Sequence, residues 1–428
     1  MEKAVFSQDQ KHLMRFTFLL VLTCLSLVCY SQEQRKFKIK QGGWIGELSL
    51  NEDDVLPFNL VIDKVGKSYS FTVENGDEMI KMNNPEVIND SVHVRFPFFN
   101  SELVFAVKSK KSVQGYWVNY NKGPHYKIPF NSFRKRKAAR FVTATKKVED
   151  TLAQQISGKW AVTFEPGTDG AYPAVGIFEQ EGKNNNITGT FLTETGDYRF
   201  LAGNYVDDQL KLSCFDGSHA FLFTADMIND SLFGKFFSGN HWQSAWQGTK
   251  DANATLKSPE ELTYIVDEQE VAFELKDLSG NTFSFPNEKF DQKVTIIQIM
   301  GTWCPNCLDE TKFYKDLYAK YHAQGLEIIS VGYEIGDSFD QHAAAVKRLQ
   351  EKLDLDFTFL VGGKASKGKA SEDFEMLNKI ISFPTSIYIG RDGMVKRVHT
   401  GFNGPGTGDY YKEYVENTVS LIEQLLAD

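Results

Sequence analysis

Val294-Thr295-Ile296-Ile297-Gln298-Ile299-Met300-Gly301-Thr302-Trp303-Cys304-Pro305-Asn306-Cys307-Leu308 is the stretch whose reading settles most about this chain. The run from Val294 to Met300 is almost wholly apolar and rich in β-branched residues, the pattern of a strand covered on both faces. From Leu308 to Tyr321 apolar residues recur at helical spacing. The two cysteines therefore fall where a buried strand gives way to a helix. Pro305 takes the first helical position, where its missing N–H leaves nothing unpaired. Such a setting turns a bare Cys-x-x-Cys into a redox motif. Unpaired N–H groups and the dipole at a helix start favour a thiolate, lowering the first cysteine's pKa from a free value of about 8.5. Spacing i, i+3 places Cys307 one turn further in, close enough to attack a mixed disulfide on Cys304. Cys304 is thus the expected nucleophile and Cys307 the resolving thiol. A metal half-site would need two further Cys or His ligands, whereas the sequence has no second Cys-x-x-Cys and its eight His are scattered.

Working outward, Leu326 to Tyr333 reads as strand, Phe339 to Leu353 as helix and Phe357 to Val361 as strand. Ser386 to Ile389 and Val395 to Thr400 flank an Arg391-Asp392-Gly393 turn, and Tyr410 to Leu425 is a closing amphipathic helix. Upstream, Phe273 to Phe283 reads as a hairpin about Ser279-Gly280-Asn281. Alternating strand and helix predicts an α/β domain with a parallel-type sheet and flanking helices.

Residues 270 to 428 resemble the thioredoxin superfamily, in particular its exported TlpA-like reductases. Trp303 matches the aromatic residue before the motif, and Cys304 and Cys307 match the redox pair. Phe383-Pro384-Thr385 matches the loop whose cis-proline faces the disulfide and whose backbone pairs with a substrate peptide. Glu310, three residues after Cys307, matches the acidic residue that tunes proton transfer in these reductases. Its plainer reading is a solvated carboxylate favoured by the helix dipole. The resemblance implies catalytic roles for Cys304, Cys307 and Glu310, and substrate contacts by Trp303, Phe383, Pro384 and Thr385. It implies no metal and no cofactor beyond the redox-active disulfide itself. Clients would be disulfide-containing exported proteins, and a membrane thiol shuttle would return electrons. Two departures leave the direction of electron flow open: Asn306 replaces the proline many relatives carry before the second cysteine, and Lys312 replaces the usual proline five residues after it.

From Gln32 to about Lys250 the chain reads as short alternating runs between turn residues, the pattern of antiparallel strands with one buried face. This region contains itself twice. Gly42-Gly43-Trp44 recurs as Gly158-Lys159-Trp160, Ile88 to Val94 as Val206 to Leu212, and Gly115-Tyr116-Trp117 as Gly234-Lys235-Phe236, at offsets of 116, 118 and 119 residues. Two β units of one plan follow, closing into one barrel or staying as two sandwiches. A basic stretch from Arg134 to Lys147 and an amphipathic piece from Val148 to Ile156 join them. The Gly-x-Trp that opens each unit resembles that of lipocalins over three residues, although ordinary core aromatics in units without a ligand are the better account of Trp44 and Trp160.

Phe16 to Val28 is an apolar run preceded by Lys11, His12 and Arg15 and followed by Cys29-Tyr30-Ser31, the layout of a secretory signal cleaved before Gln32. It is shorter than the roughly 18 to 20 residues of a membrane span. A lipidated Cys29 is a competing reading, but Ser26-Leu27-Val28 lacks the small residue expected just before it. Removing residues 1 to 31 leaves 44 basic and 54 acidic side chains, a net charge of −10, which argues against nucleic acid as a partner. It also leaves three cysteines, Cys214, Cys304 and Cys307, too few for a disulfide framework. The expected protein is therefore exported, periplasmic and multidomain, with no integral membrane segment in its mature form. Its parts are a signal peptide (1–31), β-rich units (32–147 and 148–252), a linker (253–269) and a thioredoxin-like domain (270–428).

Three rivals are weighed. Gly363 to Ala370 nearly spells a P-loop, but Ala370 stands where Ser or Thr must reach Mg²⁺. A peroxiredoxin-like peroxidase shares the α/β fold, and Thr400 to Gly406 is reminiscent of some members, yet such enzymes use one peroxidatic cysteine rather than a vicinal pair. A ligand- or partner-binding β module with an accessory redox domain is the non-enzymatic alternative.

Overall fold

The computed structural model describes residues 37–135, 155–180, 185–266 and 270–428. The signal segment with Cys24 and Cys29, the basic stretch beyond residue 135 and most of the piece from 148 to 156 lie outside the described residues. Among the described residues no helix is long and apolar enough to cross a membrane.

The first sheet is an antiparallel meander of β1 (Gly42–Ser49), β2 (Val55–Val65), β3 (Ser68–Asn75), β4 (Glu78–Met82), β5 (Glu86–Ile88), β6 (Ser91–Arg95), β7 (Ser101–Ser109), β8 (Ser112–Asn119) and β9 (Lys127–Arg134). Its spatial order is β4-β3-β2-β1-β9-β8-β7-β6-β5, leaving β4 and β5 as edges. The second sheet repeats that plan with β10 (Gly158–Phe164), β11 (Tyr172–Gln180), β12 (Asn186–Thr193), β13 (Gly196–Asp197), β14 (Leu201–Val206), β15 (Gln209–Phe215), β16 (Ala220–Ile228), β17 (Ser231–Ser238) and β18 (Trp242–Lys250). Here β12 pairs with both β11 and β14, so the sheet closes into an eight-stranded barrel with β13 appended.

The internal repeat holds strand for strand. Trp44 and Trp160 sit at the same place in β1 and β10, both buried, and each indole N–H donates to the carbonyl four residues earlier, Lys40 at 2.9 Å and Ile156 at 2.8 Å. The recurring Asx pairs Asn89-Asp90 and Asp207-Asp208 are two-residue hairpin turns with positive φ at both positions, the mirror-image turn that matches strand twist. The second barrel is filled by rings: Phe191 packs on Phe223 at 4.7 Å, and Phe223 stacks on Phe236 at 4.5 Å. Cys214 is buried in the same core.

The two units share a core. Phe215, at the end of β15, lies among the side chains of the first sheet, 4.6 Å from Phe58 and 5.1 Å from Trp117 between ring centres. Backbone polarity is matched across this junction: Asn75 exchanges hydrogen bonds with Phe215, and Ser101 Oγ donates to the Gly217 carbonyl at 2.5 Å. Gly217 adopts φ +89°, and a Cβ there would lie 2.2 Å from the Phe96 ring, so this close approach requires glycine.

The third sheet contains β19 (Phe273–Asp277), β20 (Thr282–Phe285), β21 (Val294–Met300), β22 (Leu326–Glu334), β23 (Thr358–Lys364), β24 (Thr385–Ile389) and β25 (Val395–Thr400). Its order is β20-β19-β23-β22-β21-β24-β25. The sheet is mixed, which corrects the parallel-type expectation: β21, β22 and β23 run parallel, whereas β19 and β24 join them antiparallel. The reason lies in the connections. The helices α2 (Pro305–Tyr321) and α3 (Phe339–Leu353) carry the chain back for parallel pairing, but β24 enters directly from a loop and returns to β25 through a hairpin. The other helices are α1 (Pro259–Leu262), α4 (Lys367–Asp373) and α5 (Asp409–Ala427). All seven residues of β21 are buried, and α5 turns Tyr414, Thr418, Ile422 and Leu425 inward at helical spacing.

Candidate active site

Cys304 is the N-cap of α2 and Pro305 its first residue. The Cys304 sulfur accepts the Cys307 backbone N–H at 3.4 Å, doing for the helix start what a Ser or Asp oxygen usually does. Cys304 is half-buried, and Cys307 is buried one turn further in. A hydrogen bond from the Cys307 thiol lowers the Cys304 pKa; burial opposes this, and the N–H groups of Cys307 and Asn306 reinforce it. Burial pushes the Cys307 thiol well up, and the neighbouring Cys304 and Glu310 push it further. The negative charge of the pair thus belongs on Cys304.

The Phe383–Pro384 peptide bond is cis and faces the pair, with the Phe383 carbonyl oxygen 3.6 Å from Cys304 Sγ. Phe383 stacks on Tyr333 at 5.6 Å and meets Trp303 edge-on at 6.1 Å. Trp303 is half-buried, its indole N–H donating to the Tyr333 carbonyl at 2.9 Å. Thr385 points inward: it is fully buried, its hydroxyl donates to the Ser382 carbonyl at 2.9 Å, and its backbone lies in the sheet between Ile299 of β21 and Thr400 of β25. All seven residues singled out in the sequence therefore converge on one locus.

Glu310 lies under the pair rather than in solvent. It is fully buried and accepts hydrogen bonds from Gln298 Nε2 (2.9 Å), Tyr414 (3.1 Å), Ser386 (3.1 Å) and Tyr314 (3.2 Å). Burial raises its pKa to about 7 in spite of those four donors. Gln298 Nε2 also reaches the Cys307 carbonyl at 3.5 Å, tying the carboxylate cluster to the resolving cysteine. A carboxyl that titrates near neutrality beside a thiol with an elevated pKa can hold or release the proton that disulfide exchange moves.

Sequence reasoning missed several of these residues. Glu334, at the end of β22, is buried with a pKa raised by burial to about 7, and it accepts both the N–H (2.8 Å) and the hydroxyl (2.7 Å) of Thr302. It fixes the turn leading into the motif. Gln298 and Glu334 did carry a signal, each being a polar residue in an otherwise apolar strand run. The contribution of the second barrel carried none. Ser218 Oγ donates to the Trp303 carbonyl at 2.9 Å, Ser382 Oγ donates to the Thr195 carbonyl at 2.9 Å, and Asn306 Nδ2 approaches the Asp197 carbonyl at 3.4 Å. Gly196 adopts φ +136°, and a Cβ there would stand 2.6 Å from Asn306 Nδ2. Residues Pro305 to Thr311 are consequently all buried, so the opening of α2 is enclosed instead of one-sided.

A strand-to-helix dithiol with a charged-prone outer sulfur, a shielded inner thiol and a cis-proline loop across from them defines a thioredoxin-like redox centre. Residues 266–414 match the family described as Redoxin. The chain is 30% identical over 134 residues to the thiol-disulfide oxidoreductase ResA of Halalkalibacterium halodurans, a match covering 31% of this chain and 68% of that protein. It is 29% identical over 146 residues to ResA of Bacillus thuringiensis subsp. konkukian, covering 34% of this chain and 73% of that one. Among solved structures it is similar to StoA from Bacillus subtilis, with 20% identity, a TM-score of 0.25, and coverage of 35% of this chain and 98% of that chain. Through its C-terminal domain the chain belongs to the redoxin family of thiol-disulfide oxidoreductases, and it is an enzyme of that class acting on disulfides.

Proposed function

We propose that the enzyme reduces disulfides of exported proteins, with Cys304 attacking and Cys307 resolving. The Cys304 thiolate displaces one client sulfur to form a mixed disulfide, and that sulfur leaves as a thiolate and takes up a proton. Cys307 then attacks Cys304 Sγ, the second client sulfur departs, and the enzyme is left with a Cys304–Cys307 disulfide; two electrons have passed to the client. A membrane thiol shuttle, itself oxidised in the exchange, restores the dithiol. The observation that carries this reading is the Cys304 sulfur seated as the cap of α2 on the Cys307 N–H.

Glu310 is the proton relay for Cys307, which must lose its proton before it can resolve the adduct. Trp303, Phe383 and Pro384 are where a client segment docks, with Thr385 buried in the sheet behind them. No metal and no cofactor other than the disulfide takes part. An exported, periplasmic location follows from the signal-like N-terminal run and from the disulfide substrates that this class of enzyme meets outside the cytosol.

Insulin reduction by the full chain tests the assignment. Cys304→Ser and the double Cys304→Ser/Cys307→Ser variant should lose turnover, and retained turnover in either would refute it. The reduction potential tests the direction: a value near about −270 mV fits a reductant, whereas one near about −120 mV would make the protein an oxidant.

A further inference from the structure

One arginine ties the first sheet, the second barrel and α2 together. Arg199, just after β13, is 3% exposed. Its Nη2 donates to Glu78 Oε1 of the first sheet at 2.8 Å, its Nη1 donates to Asp309 of α2, and its Nε lies 3.6 Å from Asp216 Oδ2 in the loop between β15 and β16. Asp197 adds a further carboxylate, accepting the Arg199 backbone N–H and the Gly404 N–H, both at 2.6 Å. The remaining titratable neighbours are Lys312, 2.9 Å from Asp309, and His219, 3.4 Å from Asp216. A cation so buried persists only because carboxylates surround it, and the carboxylates persist only because of the cation.

Asp309 is the link to chemistry. It stands two residues beyond Cys307 on the same helix and is buried, so an unpaired carboxylate there would oppose a second negative charge on Cys304. Residue Asp197, two positions before Arg199, already touches Asn306 inside the motif.

We propose that Arg199 is a positioning residue of the redox centre, lent by the second barrel: it neutralises Asp309 beside the dithiol and thereby favours the Cys304 thiolate. Attraction by Arg199 is among the causes that lower the Cys304 pKa. The β units then take part in the chemistry, because the ionisation of the attacking thiol depends on their being docked. This rests on Cys304 being the attacking thiol, but its test reads thiol ionisation and not client turnover, so either can fail without the other.

The experiment is the pH dependence of iodoacetamide alkylation at Cys304 in the reduced full chain, with far-UV circular dichroism as the control for folding. Arg199→Met should move the midpoint upward and slow alkylation at neutral pH roughly three- to tenfold, a tenfold change corresponding to one pKa unit. Arg199→Lys should keep most of the parent behaviour, and adding Asp309→Asn to Arg199→Met should restore it, which a merely structural role would not do. A folded Arg199→Met protein with the parent's midpoint overturns the proposal. If Arg199→Met does not fold, Asp309→Asn alone decides: a lowered midpoint supports the charge argument, and an unchanged one overturns it.

Discussion

The two β units are built to one plan and end differently. In the second, β13 is two residues long and β14 returns to pair with β12, so the ring closes on its own aromatic core. In the first, β4 runs for five residues along β3, β5 is only three residues, and no pairing joins them. The open unit is completed from outside by Phe215, Ala220, Leu222 and Phe237 of its neighbour. A duplicated strand order therefore does not fix closure; the length of one edge strand and the availability of a partner's side chains do. The divergence has a functional consequence, because the segment that fills the open unit continues into the loop whose Ser218 holds the Trp303 carbonyl.

Four outcomes would break or sharpen this comparison. Phe215→Ala should have the largest effect, about 3–5 kcal/mol, and should split denaturant unfolding into two transitions as the first unit loses its borrowed core. Phe191→Ala, inside the closed barrel, should cost a similar amount without that split; a single transition for both variants would show that the units are not coupled through Phe215.

Acidity should separate the junction from the redox core. Burial alone would raise the Asp216 pKa, but His219 and Arg199 outweigh it and hold it below the usual 3.8. Its stabilising contribution is present above that value and is lost as pH falls through the lowered folded pKa. Glu310 runs the other way: with its folded pKa raised from 4.5 to about 7, its contribution is full below 4.5 and is lost as pH rises toward 7. Comparing Glu310→Gln with the parent across pH 4 to 8 should reveal that slope, and identical pH profiles would contradict it.

Trp44→Phe and Trp160→Phe should each cost about 1–2 kcal/mol, since each breaks the same indole-to-carbonyl bond. Unequal losses would mean that closure has changed the value of the shared position. The smallest change is expected of Asp230→Gly, a gain below about 1 kcal/mol from relieving a left-handed residue in the β16–β17 turn, seen as a slight rise in Tm.

Much of the redox centre was legible in the sequence, because its parts are local. The apolar run of β21, Pro305 after Cys304, and the spacing from Cys304 to Cys307 all act within a few residues. Glu310 and Phe383-Pro384-Thr385 were found by resemblance, and β24 by the Arg391-Asp392-Gly393 turn that follows it. What was not legible is long-range. Arg199 in Gly196-Asp197-Tyr198-Arg199-Phe200 reads as a solvated turn charge, and its partners Asp309 and Glu78 lie 110 and 121 residues away. Phe215 lies on the face of β15 opposite Leu210, Leu212 and Cys214, so alternation turns it out of its own barrel, but nothing in the sequence says which core receives it. The mixed sheet escaped because helical and loop connections set strand direction, and the pattern within β24 is the same for either direction. Glu310 sat between two readings that only burial could separate.

The most direct test of the central claim is to trap the intermediate. Reduced full-length Cys307→Ser protein mixed with insulin should accumulate a covalent adduct joined through Cys304, while the parent resolves it and Cys304→Ser forms none. An adduct that forms as readily in Cys304→Ser, or none in Cys307→Ser, would contradict the roles assigned to the two sulfurs.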